Sequence, residues 1–457
     1  LHVEVHTLKV ETEFEKNFSK QRLTNIFTEN VSLSNASGID NLNPRKLFPK
    51  IHDEINIILH KVPKGSYKFT KYKLKLVTKG RNKIPRELSI PSVRDRIVLR
   101  ALSEFLKDRF EPSLNLKLPQ VIIKNVKKDL KSGLFNAYIK LDVRDFYPSI
   151  EHDQLLRRIR KRIRYPYILN LIQLALQTPT VSVSKSADKL SERGVPQGLS
   201  ISNILANIYL LNIDKHLNSR TDISYYRYVD DILILCDESD ITKITRDVIK
   251  QFKRLGLEVY DPLEPQEHKG KSSIGKISDS FKYLGYVFKD SKISIREESI
   301  NKLKSSLASI FTSHKYADAK IRRKEFLEWR VNLRITGCIF QERSKGWLHF
   351  FSEINDEQLL HTLDHFVKIL MKRFDVDIES KKFVRTYYDL KYRRRETNYI
   401  PNFDKFTLEQ KKHTLAHHFG LDLGKYRSDK EIEYEFRKRI DKQVRDLEED
   451  IGSISWH

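Results

Sequence analysis

The spacing of apolar residues changes along the chain, and each change marks an element. Between Pro49 and Leu59, Ile51, Ile55, Ile58 and Leu59 recur at helical spacing. Residues 61–90 are basic and interleaved with Tyr67, Phe69, Tyr72, Leu74 and Leu76, which predicts a strand hairpin around Lys79-Gly80-Arg81-Asn82. Ile90-Pro91-Ser92 then caps a helix with Val98, Leu99, Leu102, Phe105 and Leu106 on its inner face. Asn136 to Leu141 alternates and reads as a strand that delivers Asp142 at its end. Helices are expected within 153–177, a loop at Gly194–Gly198 and an apolar helix over Ser200–Leu211. Tyr226 to Leu235 reads as a tight hairpin with Asp230 and Asp231 at its turn. A helix around Thr242–Leu255 and a strand pair from Phe281 to Ile295 follow. Strands and helices mixed in this way predict the α+β class, with a mainly antiparallel sheet.

Beyond Ser299 the spacing is helical. Asn355 with Gln358 predicts a capping box that opens a helix carrying Leu359, Leu360, Leu363, Val367 and Leu370. Lys381 to Arg395 is basic and aromatic. Thr407 to His418 reads as a second capped helix, stopped by Gly420. The last helix, Lys430–Ile451, has a narrow seam of Ile432, Phe436, Ile440, Val444 and Leu447. That seam suits packing on a partner helix, including one from another subunit.

At 457 residues the chain has room for a large core and two to four domains. Its 85 Lys+Arg against 61 Asp+Glu leave a net charge of +24, spread along the chain, and nucleic acid is the first candidate for such a field. The two cysteines, Cys236 and Cys338, are too few for a zinc knuckle or a disulfide framework. With no bilayer-length apolar run and no signal peptide at the start, a cytoplasmic protein without membrane association is expected.

The chemistry centres on Asp230-Asp231. Two ionised neighbours repel, which favours a cation between them, although Asp is also at home in any polar turn. Asp142, on a strand able to pair beside the hairpin, supplies a third carboxylate. Such a set suits magnesium, and two ions about 3.5–4 Å apart would serve an in-line displacement.

Three segments resemble successive palm motifs of reverse transcriptases: Leu141-Asp142-Val143-Arg144-Asp145-Phe146-Tyr147, Gly194-Val195-Pro196-Gln197-Gly198 with Ser202-Asn203, and Tyr228-Val229-Asp230-Asp231. Arg86-Glu87-Leu88-Ser89-Ile90-Pro91 with Asp95-Arg96 resembles the finger motif of the group II intron-like bacterial branch. Phe281-Lys282-Tyr283-Leu284-Gly285-Tyr286 resembles its primer-grip hairpin, and Gly346-Trp347-Leu348 with Phe350-Phe351-Ser352 part of its thumb. The resemblance spans roughly residues 36–375.

It implies a right-hand polymerase with Asp142 and Asp230 as main ligands for two magnesium ions (manganese as substitute). Asp231 is the third carboxylate, and the Val143 carbonyl completes a shell. Tyr147 would lie beneath the incoming sugar and exclude a 2′-hydroxyl, although a core aromatic beside Pro148 is the competing reading. Gln197 would lie against the nucleotide, with Gly198 letting the backbone approach. Lys79 and Arg86 are candidates to grip the triphosphate, Lys79 being equally readable as a surface lysine. Tyr283, Leu284 and Gly285 would form the primer grip. Lys269 and Lys271 compete to protonate the leaving pyrophosphate.

The implied layout is fingers with the N-terminal segment (1–135), a first part of the palm (136–152), connecting helices (153–193), palm with primer grip (194–295), thumb (296–375) and a basic helical extension (376–457). In the extension, Arg385, Tyr388, Arg393, Arg394 and Arg395 suit single-stranded nucleic acid, or a solvated helix face. No His-Asn-His nuclease or cysteine-rich DNA-binding module is found after the thumb, which argues against a self-mobilising intron protein. The chain looks most like defence-associated reverse transcriptases, with a lean towards the two-enzyme type 3 systems. That implies deoxynucleotides, a noncoding RNA and DNA as partners, and a second reverse transcriptase in a homo- or hetero-oligomer. An RNA-binding scaffold without chemistry is the alternative, and Tyr147 argues against ribonucleotide use.

Overall fold

The computed structural model describes residues 2–78, 84–183, 189–264, 271–318, 322–394 and 396–451. Residues 1–117 with 135–275 form one compact unit, and 118–134 with 276–457 form another.

In the first unit, β1 (Tyr72–Val77) and β2 (Arg86–Ile90) pair antiparallel, as the alternation predicts, and the connection at 79–83 lies outside the described residues. The sheet that carries the carboxylates is built from β3 (Ala137–Asp142), with β4 (Thr180–Val181) joining the β1–β2 sheet instead. Next come β5 (Ser224–Tyr228), β6 (Asp231–Cys236) and β7 (Ser273–Lys276), and the strand order is β5-β6-β3-β7. Ile139, Leu141, Ile232, Ile234 and Cys236 turn into the core from one face, each essentially unexposed. By strand alternation the opposite face takes Asp142 and Asp231.

The helices cover that core. Val93–Phe110 starts where Ser92 accepts from the Asp95 amide, and its predicted inner face is fully buried. Asp95 and Arg96 serve as clasps. Asp95, unexposed, accepts from the Tyr67 hydroxyl (2.7 Å), the Thr70 amide and the Ser92 hydroxyl. Arg96 donates to the carbonyls of Pro91 and Ala36 and to Ser34. A carboxylate satisfied three times over can be held in the core. The polar N-terminal lead is helical over His2–Asn17 and Lys20–Ile26, and it buries Phe14, Phe18, Leu23 and Ile26.

The second unit holds β8 (Phe281–Tyr283), β9 (Tyr286–Lys289) and β10 (Lys292–Ile295) as a meander, and the hairpin of β11 (Cys338–Phe340) with β12 (Arg343–Lys345). The border at 275/276 falls inside the stretch expected as palm and primer grip. Two sequence expectations need correction here. Asn355 does not cap the next helix: its side chain accepts from the Ile293 amide and donates to the Ser291 carbonyl. Asp356 is the cap, accepting from the Leu359 amide, so no box forms with Gln358. The C-terminal seam finds its partner within this chain. Ile432, Phe436, Ile440, Val444 and Leu447 pack with Leu333, Phe340, Phe403 and Leu415, so no second subunit is needed to cover it. The Thr407 cap is a full box with Gln410, and its helix passes into a π-helical turn at Thr414–His418.

Candidate active site

Register decides which carboxylates meet. Asp142 ends β3 directly opposite Asp231 at the start of β6, and Asp231 in turn pairs with Tyr228 of β5. Two residues, Val229 and Asp230, therefore make the whole β5–β6 turn. Val229 has φ of 57°, at the first loop position of the hairpin, where a II′ turn ordinarily takes glycine. A β-branched residue there is strained. Its neighbour Arg227 offsets this from below. The guanidinium, with 1% of its side chain exposed, donates to the Val229 carbonyl (2.9 Å), to Asn207 Oδ1 (2.9 Å) and to both carboxylate oxygens of Asp214. Tyr225 donates to the same Asp214. The carboxylate turn thus stands on a buried, charge-paired post.

Sequence reasoning missed that post. The available signal was alternation: Tyr225 and Arg227 both occupy inward positions of β5, and an arginine at a core position needs a buried partner.

Asp230 is half-buried. Burial first, then the charges of Asp231 and Asp142, push its carboxyl up to about 7, against the pull of Arg86. That is the repulsion a divalent cation would relieve. Val143 fits the same purpose. Around its bridge to Val259, the Arg144 amide donates to the Glu258 carbonyl and the Tyr260 amide to the Asp142 carbonyl. In such a non-bonded antiparallel pair the residue's own N–H and C=O point away from that partner. The Val143 carbonyl is therefore directed to the β6 side, where Asp230 and Asp231 lie. Among the described residues no three carboxylate, imidazole or thiol groups already close into a metal cage. The oxygen donors present nevertheless suit a hard cation that completes its shell with substrate oxygens.

Lys271 reaches the Asp142 carboxylate at 2.9 Å and lies 5.5 Å from the Tyr260 ring centre. Burial disfavours its charge, but the bond to Asp142 outweighs this and holds its pKa above the usual lysine value. Ser272 Oγ accepts from the Asp142 amide. Lys269 and Lys79 lie outside the described residues.

The loop 194–198 is sewn to both neighbours. The Val195 amide donates to the Tyr147 carbonyl and the Gly194 amide to the Ile150 carbonyl, while the Gln197 carbonyl accepts from the Ser89 amide of β2 at 2.7 Å. Gly198 has φ of 97°, and a Cβ there would stand 3.2 Å from the Ser89 carbonyl oxygen. Tyr147 is 6% exposed, and burial, then the charge of Asp230, raises its hydroxyl pKa well above the usual range. The charge of Arg86, in β2, exerts an opposing pull on both Tyr147 and Asp230. Asp142, Asp230, Asp231, Tyr147, Arg86 and the Gln197 backbone thus come together in one unit.

The other candidates lie in the second unit. Tyr283 and Tyr286 pair, and Leu284 (φ 45°) with Gly285 (φ 85°) forms a turn with both φ values positive, the I′ pattern. Tyr387 is core, donating to the Ile354 carbonyl. Tyr388 and Tyr392 are exposed and stacked, with ring centres 5.9 Å apart, and Arg394 donates to Ser344. Arg395 lies outside the described residues.

A carboxylate hairpin opposite a strand-end aspartate, on a four-stranded sheet backed by helices, is the arrangement expected of a right-hand polymerase palm. The family described as reverse transcriptase (RNA-dependent DNA polymerase) matches residues 77–288 of this chain. Protein YkfC of Escherichia coli is 23% identical over 321 residues, which cover 58% of this chain and 82% of that protein. The retron Ec73 reverse transcriptase of Escherichia coli is 28% identical over 26% of this chain and 39% of its own length. The group II intron-encoded protein LtrA of Lactococcus lactis is 24% identical over 36% of this chain and 28% of its own. Among solved structures, telomerase from Candida albicans aligns with a TM-score of 0.41 and 14% identity, covering 84% of this chain and 63% of that one.

Proposed function

We propose that this protein adds deoxynucleotides to a 3′-hydroxyl on a nucleic-acid template, with Asp142, Asp230, Asp231 and the Val143 carbonyl holding two magnesium ions, or manganese in their place. The observation that carries the reading is the direct pairing of Asp142 with Asp231 beside a half-buried Asp230 whose carboxyl is pushed upward by both. When bound, the ions would activate the attacking oxygen and steady the leaving pyrophosphate. The chain's own residues do the rest. Arg86 faces the triphosphate. The Tyr147 ring would exclude a 2′-hydroxyl, and its backbone carbonyl is tied to the Val195 amide. Gln197 and Gly198 present backbone to the nucleotide. Lys271, already on Asp142, is proposed to give a proton to pyrophosphate, with Lys269 the competing lysine. Tyr283, Leu284 and Gly285 are proposed to guide the primer.

The setting proposed is cytoplasmic antiphage defence with a noncoding RNA, as in the defence-associated enzymes the motifs resemble, and with a second reverse transcriptase as in type 3 systems. Matches to bacterial reverse transcriptases support the branch. Among the described residues no helix is long and apolar enough to cross a membrane. The test is incorporation of labelled dNTPs by purified protein supplied with its copurifying RNA. Activity is expected in magnesium and absent from Asp142→Asn and Asp230→Ala. Normal incorporation by either variant would sink the assignment, and a preference for rNTPs would overturn the role of Tyr147.

A further inference from the structure

The second unit contains two cavities that meet at one side chain. One, of about 550 Å³, is bounded by Trp329, Phe403, Phe406 and His418, and the other, of about 680 Å³, by Arg385, Arg393 and Tyr399. Lys381 lines both. Each falls within the roughly 300–1,000 Å³ of small-molecule sites.

The first cavity is aromatic. Phe403 is buried, whereas Trp329 and Phe406 are partly open. The Trp329 and Phe406 ring centres lie 6.2 and 5.1 Å from that of Phe403, at 43° and 69°, so neither pair stacks face to face. Trp329 already stacks on Phe326 and His418, with ring centres 6.2 and 6.0 Å away, so a planar guest would meet the partly open Phe406 and the edges of its neighbours.

The second cavity is cationic. Lys381 Nζ and the Arg385 guanidinium carbon stand 4.9 and 4.3 Å from the centre of the Tyr399 ring, two like charges on one support. Lys381 spends one of its three donors on the Tyr399 carbonyl, and among the described residues no carboxylate pairs with Lys381 or Arg385. Asp389 and Glu396 border the same cavity, and Asp389 accepts from Thr397 Oγ1. Burial, and then Arg385, lower the Lys381 pKa, a strain that an anion would remove.

An aromatic cavity alone would take any apolar group, and a cation cluster alone would take any anion. Joined at a shared lysine, they suit a ligand that carries both a planar ring and a phosphate. From this juxtaposition we infer that one nucleotide of a single-stranded nucleic acid docks across Lys381, its phosphate against Lys381 and Arg385 and its base in the aromatic cavity against Phe406. The site rests on the reading of the chain as a nucleic-acid enzyme and assigns it a grip remote in sequence from the carboxylates.

The test is the binding of a labelled single-stranded oligonucleotide to the full chain over a salt series, with dNTP incorporation measured on the same samples. Arg385→Gln, at an exposed position, should weaken binding about tenfold and flatten the slope of log K against log salt by about 0.7. Phe406→Ala should weaken it about tenfold at unchanged slope, and Phe406→Trp should restore it. Binding within twofold of wild type for both Arg385→Gln and Phe406→Ala overturns the site. So does displacement of the strand by AMP from the wild type but not from Arg385→Gln, which would make the ligand a free nucleotide. Variant-sensitive binding without any incorporation counts against the polymerase reading alone. Incorporation with variant-insensitive binding counts against this site alone.

Discussion

Arg227 and Asp214 form a buried ion pair whose loss leaves a charge without water or partner. Removing one member of such a pair costs roughly 3–5 kcal/mol. Arg227→Met is expected to lower unfolding stability by that amount in urea, and Arg227→Met with Asp214→Leu to recover part of it. A single variant as stable as wild type would show that the pair carries no weight. Asp230 has the opposite balance. Its folded pKa lies above the unfolded value, so its charge opposes folding at neutral pH and the penalty fades as pH falls below about 7. Asp230→Asn should therefore raise the Tm by a few degrees in magnesium-free buffer while incorporation disappears. A lowered Tm would contradict this account of the turn.

The hairpins show what alternation can and cannot convey. Period-two apolar runs located β3, β5 and β6 and put Asp142 at a strand end, because one face of this sheet is core. The same alternation carried the Arg227 position unread, since its partners Asn207 and Asp214 lie on a helix that only folding brings near. The Asn355 cap failed for a similar reason. A tertiary amide contact with Ile293 outbid the local one. The loop 194–198 is an element whose backbone matters more than its side chains, and Gly198→Ala tests that. A Cβ at φ of 97°, close to the Ser89 carbonyl, should loosen the loop from β2 and raise the KM for dNTP several-fold with a smaller effect on stability. An unchanged KM would separate the loop from nucleotide binding.

Across the whole molecule, acid should act on the second unit through its histidines. Burial first, and then Arg394, bring His349 down to about 4; burial first, with His417 and His413, does the same to His418. As pH falls through the ordinary value of 6.5, the unfolded chain takes up protons that the folded chain declines, so stability is lost progressively towards pH 4. Denaturation at pH 7.5 and 5 should show the loss, and His349→Gln should flatten it; equal stability at both would contradict it. The division of the chain has a consequence for how it is made. The helix Pro119–Ser132 is counted with the second unit, yet it is synthesised before residues 135–275 of the first. At about 5–20 residues per second, it waits on the order of ten seconds on the ribosome before Lys276 appears. During that wait Ile122, Ile123 and Val126, all buried in the finished protein, have no home. A fragment ending at residue 275 should therefore aggregate, and replacing residues 118–134 by a short polar linker should make it soluble. Equal solubility of the two fragments would show that this helix can shelter itself.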